Sequence, residues 1–309
     1  MMAFRSGFVS VVGRPNVGKS TLLNRLVGQK IAITSQVAQT TRHRIRGVIT
    51  LPNEGQLVLM DTPGFSKPLD SLGELLVDES QAAIADADAY VIVVNGNELP
   101  GKGDAYVVTQ VLEKAAHKDA FILLAINKAD QLKQHPGLLG TRCLAYEALL
   151  KGYKKSKTLL ISARTGKECH EIVPLLLKHL PVGPAYYDED ALTDQRLREM
   201  SAEIIREKVM RLTQEELPHS VAIVIDDYNE ADPAMTRITA TLYVNQASQK
   251  GMIIGKGATL IKQIGTEARK DIETLLGHRA HLDLNVAVKA NWRRDAEFLK
   301  SMGLAVEPA

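Results

Sequence analysis

Short apolar runs alternate with amphipathic stretches over the first 180 residues. Residues 8–12, 57–60, 90–94, 121–126 and 158–161 are brief and rich in β-branched residues, the pattern of strands buried on both faces of a parallel sheet. Between them, 20–26, 106–116 and 138–150 carry apolar residues at helical spacing. Strands alternating with helices predict βαβ units, hence an α/β domain with a mostly parallel, open sheet. Residues 45–51 are expected to pair antiparallel with 57–60 at an edge, through a turn at 52–55.

The pattern changes after residue 180. The stretch PVGPAYYDED at 181–190 holds two prolines, a glycine and an acidic run, and reads as a linker. Beyond it, 194–212 is a charged amphipathic helix with Leu197, Ile204, Ile205 and Val209 as its apolar stripe. Strands follow at 221–225 and 237–244 around a turn containing Asp232-Pro233. Leu282, Leu284, Val286 and Val288 alternate with polar or small residues, predicting a last strand with one buried face. The expected organisation is a domain over 1–180, a linker over 181–190 and a smaller α+β domain over 191–309. A chain of 309 residues fits two domains of ordinary size.

Composition adds limits. An apolar fraction of 45% and a charged fraction of 24% are those of a soluble globular protein. The longest apolar run, 121–126, falls far short of the ~20 residues of a membrane helix. The N-terminus lacks the apolar core and small-residue cleavage site of a secretory signal. Cys143 and Cys169 have neither metal-ligand nor redox spacing, so a reducing, cytoplasmic setting is expected. The net charge of +2 favours no nucleic acid, but its distribution is uneven. Residues 191–309 hold 16 Lys+Arg against 17 Asp+Glu, whereas 249–294 hold 9 against 4, a local excess of +5.

Gly13-Arg14-Pro15-Asn16-Val17-Gly18-Lys19-Ser20, followed by Thr21, matches G-x-x-x-x-G-K-[ST] directly after a predicted strand and at the start of a helix. Such a loop turns backbone N–H groups inward around phosphate oxygens, and the helix N-terminus adds a favourable dipole. Lys19 then supplies a point charge to the β- and γ-phosphates, and Ser20 a hydroxyl ligand for Mg²⁺. Asp61-Thr62-Pro63-Gly64 ends the strand 57–60, where its carboxylate can reach Mg²⁺ and Gly64 can offer an N–H to the γ-phosphate. Asn127-Lys128-Ala129-Asp130 follows the strand 121–126 and specifies the base. A carboxylate at Asp130 accepts from guanine N1–H and N2–H₂, whereas adenine would leave that charge desolvated and unpaired. Lys128 can cover the base face, and Asn127 can tie its loop to the phosphate loop. Ile161-Ser162-Ala163 would bring backbone N–H groups near guanine O6.

The order and spacing of these motifs resemble the translation-factor-like branch of GTPases. ITSQVAQTTRHRIR at 33–46, taken with GRPNVGKS, more closely resembles the Era family of bacterial GTPases. That resemblance implies Thr41, or failing it Thr40, as the threonine that ligates Mg²⁺ when GTP is bound. Metal ligands are then Ser20, Thr41 and Asp61, and the nucleotides GTP and GDP. Phe65 stands where Ras-like switches carry a water-orienting glutamine, so intrinsic hydrolysis is expected to be slow and no catalytic side chain is assigned. In related bacterial GTPases an asparagine at the place of Asn16 helps hold K⁺ beside the phosphates, which makes K⁺ a candidate cofactor. Loop fixation is the other reading of Asn16.

In the second domain, Ile253 to Gly265 (IIGKGATLIKQIG) resembles the core of a KH domain, in the bacterial, type II order of elements. A KH fold clamps about four nucleotides with a GxxG loop between two helices. Ile254, Gly255, Lys256, Gly257, Ala258 and Lys262 are the candidate RNA contacts, within a cluster that also includes Lys250, Arg269, Lys270, Arg279, Lys289 and Arg293–Arg294. Ile261 and Ile264 would join the core or floor the groove under the bases. Ala258 departs from the motif's second glycine; a methyl group there is compatible with helical backbone angles, which would let Ala258 start the next helix. Trp292 could stack on a base or simply pack.

Taken over nearly the whole chain, the Era resemblance implies a monomeric factor for maturation of the small ribosomal subunit. It also implies binding of the KH domain to the 3′ end of 16S rRNA and some contact with the inner face of the cytoplasmic membrane. The competing readings are a GTP-gated membrane or protein scaffold whose KH-like fold has lost RNA, and an ATP-dependent RNA enzyme, which Asp130 disfavours.

Overall fold

The computed structural model describes residues 3–34, 41–42, 44–65, 68–131 and 137–304. The chain divides into two units. The first extends to Asp194, and the second is Gln195–Ala309 with two short stretches from the N-terminal half.

The first unit is built on six strands: β1 (Arg5–Val12), β2 (Ile45–Leu51), β3 (Gly55–Asp61), β4 (Ala89–Asn95), β5 (Phe121–Asn127) and β6 (Ser156–Leu160). They lie in the order β2-β3-β1-β4-β5-β6. Every pair is parallel except β2–β3, the expected edge hairpin, whose register runs from Leu51 opposite Gly55 to Ile45 opposite Asp61. Strands β3, β4 and β5 are buried along their whole length, the physical reason their sequences read as unbroken runs. Helices α1 (Lys19–Val27), α2 (Ser71–Asp86), α3 (Lys102–Lys118), α4 (Gly137–Leu149) and α5 (Ile172–Leu177) complete the unit. Because β3 and β4 flank β1 on opposite sides, the chain reverses its direction of progress across the sheet at β1. The carboxyl ends of strands at such a point are where open α/β sheets bind ligands.

Helix α2 escaped the periodicity reading. Its inward positions are Leu72, Leu76, Ser80, Ala83 and Ile84, and the buried serine interrupts the apolar stripe. Ser80 Oγ is satisfied locally, by the carbonyl oxygens of Leu76 and Pro63.

The segment 181–190, expected to be a linker, lies along the first unit. Ser6 N–H donates to Pro181 O, Gly183 N–H to Phe4 O, and Val48 N–H to Leu192 O. The fully buried Gln56 accepts from the N–H groups of Tyr186 and Tyr187 through Oε1 and donates to Tyr187 O through Nε2. The rings of Phe8 and Tyr186 pack at a tilt with centroids 4.8 Å apart, and Arg46 pairs with Asp194. Prolines and acidic residues report a lack of regular structure; they carry no information about packing.

The second unit keeps the expected order with one short helix, α7, added: α6 (Leu197–Leu212), α7 (Leu217–Ser220), β7 (Ala222–Asn229), β8 (Met235–Val244), α8 (Ala247–Ile254), α9 (Thr259–Leu276) and β9 (Arg279–Val288). Its sheet runs β7-β8-β9, with β7–β8 antiparallel and β8–β9 parallel. Ile204, Ile205 and Val209 of α6 and Ile264, Ala268 and Ile272 of α9 pack over Ile238, Ala240, Leu242 and Val244 of β8. Leu197, at the first turn of α6, stays exposed. Trp292 is fully buried and donates from Nε1 to Ser220 O at 2.8 Å, so of its two readings the packing one holds. Among the described residues, no helix is long and apolar enough to cross a membrane.

Candidate nucleotide site and nucleic-acid groove

The phosphate loop leaves β1 at Gly13 and enters α1 at Lys19, at the carboxyl edge of the sheet. Close approach of three segments explains its glycines. A Cβ on Gly18, whose φ is 103°, would lie 2.3 Å from Asn127 Nδ2, and one on Gly64 2.7 Å from Pro15 N. Asn16 holds φ at 62°, a left-handed conformation that asparagine tolerates better than most residues. Lys19 is buried and donates from Nζ to the carbonyl oxygens of Gly13 and Arg14, at 3.1 and 3.0 Å. Burial lowers its pKa to about 8, against the attraction of Asp61. Thr21 is half-buried in the first turn of α1, behind this loop. Arg14 turns away to pair with Asp104 and Glu98, each at 2.8 Å.

Three side-chain oxygens meet beside Lys19. Asp61 Oδ2 accepts from Ser20 Oγ at 2.7 Å and from Thr41 Oγ1 at 3.1 Å, and the two hydroxyls stand 3.1 Å apart. Asp61 is fully buried, and among the described residues its Oδ1 has no hydrogen-bond partner. Burial pushes its pKa up, opposed by Lys19 and the two hydroxyls. An all-oxygen donor set with an orphaned buried carboxylate oxygen fits a hard divalent cation, Mg²⁺ foremost. Thr40, the other candidate, lies outside the described residues. Thr62 Oγ1 donates to Val11 O, and Phe65 is buried edge-on to Tyr106, with centroids 6.1 Å apart. Neither a ring nor its burial can orient a water.

Just before α1 begins, Asn127 bridges two loops: Nδ2 donates to Val17 O at 2.8 Å, and Oδ1 accepts from Ala163 N–H at 2.9 Å. Lys128 follows with φ at 68°, and Ala129 N–H donates to Ile161 O. Asp130 Oδ1 accepts from Ser162 Oγ at 2.6 Å and Oδ2 from Arg164 at 2.5 Å. Burial would raise its pKa, but these donors outweigh it and hold the carboxyl below its usual range. The N–H groups of Ile161 and Ser162 are engaged by Ile126 O and Lys167 O. Of the three N–H groups expected near the base, only that of Ala163 faces the base-recognition side chains, through Asn127.

In the second unit, Gly255 to Ala258 forms the predicted loop between α8 and α9. A groove of about 430 Å³ is lined by Ile261, Lys262 and Arg269 of α9, which follows the loop, and by His281, Leu282 and Leu284 of β9. Ile264 is buried in the core, so of the two expected isoleucines only Ile261 reaches the groove. Lys256 and Lys262 are exposed, whereas Lys289 pairs with Asp295 and Arg293 donates to His219 O. Sequence reading missed Leu282 and Leu284 as groove residues, since an alternating strand does not say what its apolar face covers.

Ala258 corrects an expectation. Its φ is 60° and ψ 26°, left-handed and not helical. Gly257 beside it has almost the same angles, φ 62° and ψ 26°. An L-residue in that region pays about 1 kcal/mol or more relative to glycine. Ala258→Gly is therefore expected to stabilise the second unit by about 1 kcal/mol, read as a higher denaturation midpoint with an unchanged slope.

Residues 8–128 match the family described as "50S ribosome-binding GTPase", and 216–293 match the KH domain family. The chain is 45% identical to GTPase Era of Nostoc sp. over 98% of its length and 91% of that protein's. It is 40% identical to GTPase Era of Staphylococcus haemolyticus, covering 98% of both. The chain belongs to the Era family of GTPases. An Aquifex aeolicus Era variant bound to GDP and AlF₄⁻ superposes with a TM-score of 0.90 at 37% identity, covering 98% of this chain and all of that one. A structure of Era with MgGDPNP and nucleotides 1506–1542 of 16S ribosomal RNA superposes at 0.89 and 36% identity, with the same coverage. As an Era GTPase, the protein binds guanine nucleotide with Mg²⁺ and hydrolyses GTP to GDP and phosphate. The sheet edge that gathers the phosphate loop, Asp61 and Asp130 is the place in this fold where that chemistry can occur.

Proposed function

We propose that this Era GTPase binds the 3′ region of 16S rRNA in the groove lined by α9 and β9 and assists maturation of the small ribosomal subunit. The observation that carries the reading is the groove itself. Its apolar Ile261, Leu282 and Leu284 suit unstacked bases, and Lys262 and Arg269, with the exposed Lys256 of the preceding loop, suit the phosphates that join them. The relative solved with 16S rRNA supports the choice of RNA.

In the nucleotide site, the backbone of Gly13–Thr21 wraps the phosphates and Lys19 neutralises the β- and γ-phosphates. Ser20, Thr41 and Asp61 would hold Mg²⁺, which offsets the charge that develops on the transferred phosphoryl group. Thr62, Pro63 and Gly64 carry the chain past the γ-phosphate, with Phe65 packed behind. Asn127, Lys128, Ala129 and Asp130, with Ser162 and Ala163, take the base. Asp130 accepts guanine N1–H and N2–H₂ and rejects adenine. With Phe65 in place of a water-orienting glutamine, hydrolysis draws more on charge beside the phosphates, and a K⁺ ion that Asn16 would help hold could add to it. Equal turnover in KCl and NaCl at matched ionic strength would remove K⁺ from the mechanism; faster turnover in KCl is expected. A factor that matures ribosomes acts in the cytoplasm, where contact with the inner membrane face would be peripheral.

The test is a titration of the whole chain with single-stranded RNA copying the 3′ end of 16S rRNA, over a range of salt. Saturable binding with a salt slope is expected. Lys256→Ala should weaken it and lower the slope by about 0.7, the loss of one phosphate contact, with GDP affinity unchanged. Absence of saturable binding at low salt would instead support a scaffold without RNA.

A further inference from the structure

Two arginines outside the nucleotide motifs, one directly and one through the backbone of a loop, bear on the base-recognition carboxylate. Arg25 stands in the last turn of α1, the helix whose first residues are Lys19 and Ser20. Its Nε donates to Ala163 O at 3.2 Å and an Nη to Arg164 O at 2.6 Å. The loop it fastens sends Ala163 N–H to Asn127, Ser162 Oγ to Asp130 Oδ1 and the Arg164 guanidinium to Asp130 Oδ2. Both oxygens of Asp130 are therefore aimed by groups on one loop, and α1 ties that loop to the phosphate end of the site.

We propose that Arg25 and Arg164 form a brace that sets how long guanine nucleotide stays bound. The proposal rests on the reading of Asp130 as the guanine acceptor. Two parallel hydrogen bonds to N1–H and N2–H₂ form only if the carboxylate is held in plane with the base. Each oxygen has two lone-pair sites, so Ser162 and Arg164 can each take one and leave a second for the base. Arg164 is a positioning residue acting through the carboxylate, and Arg25 one acting through the backbone that carries Arg164 and Ser162. The two arms differ in physics. Arg25 serves neutral carbonyl oxygens, so its effect should not depend on salt. Arg164 is an exposed cation on a largely buried carboxylate, so its effect should fade as salt rises.

Release of a fluorescent GDP analogue from the full-length protein tests this in stopped flow. Arg25→Met keeps the aliphatic stem but loses both donors, and should speed release about tenfold at every salt concentration. Arg25→Lys should recover part of the loss. Arg164→Met should speed release about threefold at low salt and not at all at about 1 M. Single-turnover cleavage of pre-bound GTP should stay within about twofold in all three, since the phosphate end is untouched. Unchanged release in both Met variants overturns the brace, as does a fall in cleavage rate that parallels faster release. If Arg25→Met does not fold, Arg25→Lys and Arg164→Met decide the matter alone. Failure of the underlying reading looks different: Asp130→Asn would then leave the preference for guanine over xanthine nucleotides intact.

Discussion

Asp130→Asn is expected to lower GDP and GTP affinity by about 10³-fold and to raise affinity for xanthosine nucleotides by a similar factor. The carboxylate is a pure acceptor, matched to the two donors on the guanine edge. An asparagine in its place keeps one acceptor for N1–H but presents an amide donor where guanine carries N2–H₂. Xanthine has a carbonyl oxygen at that position and accepts the new donor. Arg164 can still donate to the amide oxygen, and the Ser162 hydroxyl, which donates to the other carboxylate oxygen now, can turn to accept from the amide N–H, so the loop should keep its shape. Competition between xanthosine and guanosine diphosphates for the variant measures the switch. Equal loss of both nucleotides would mean that the loop had collapsed, and would withdraw the assignment of Asp130.

Ser20→Ala is expected to cut Mg²⁺-dependent GTP turnover on the order of 10²-fold, the usual consequence of removing one pre-positioned electrostatic partner from a reaction centre. Ser20 Oγ sits 2.7 Å from Asp61 Oδ2 and 3.1 Å from Thr41 Oγ1, so its loss leaves a metal with one direct ligand fewer. The side chain is small and half-buried, and alanine is the best helix former, so α1 should be unharmed. Phosphate release measured across a Mg²⁺ titration would show the variant needing more metal and reaching a lower plateau. A plateau equal to the parent's would mean that Ser20 is not a ligand.

Much of the nucleotide site is legible in the amino-acid sequence. Gly13 to Ser20, Asp61 to Gly64 and Asn127 to Asp130 are local motifs, each at a strand end, because phosphate and base binding are done by loops of fixed length. The buried strands β3, β4 and β5 are equally plain, since burial on both faces leaves no polar alternation to blur them. The type II KH order of elements is readable in the same way, from helix and strand periods.

Other features depend on chain segments far apart in sequence. The stretch 181–190 has the composition of a linker, yet Gln56, some 130 residues earlier, binds its backbone. Ala258 reads as a helix start, but closure of the loop between α8 and α9 forces φ to 60°, and only the flanking elements impose that. Arg25 and Arg164 belong to no motif, and only the packing of α1 beside the loop after β6 lets Arg25 fasten the loop whose Arg164 reaches Asp130. Sequence by itself picked out the groups proposed to meet phosphate, metal and guanine, because most of them stand in short local motifs. Tertiary structure decided how those groups are aimed, because a carboxylate or hydroxyl takes its direction from partners that no local pattern records.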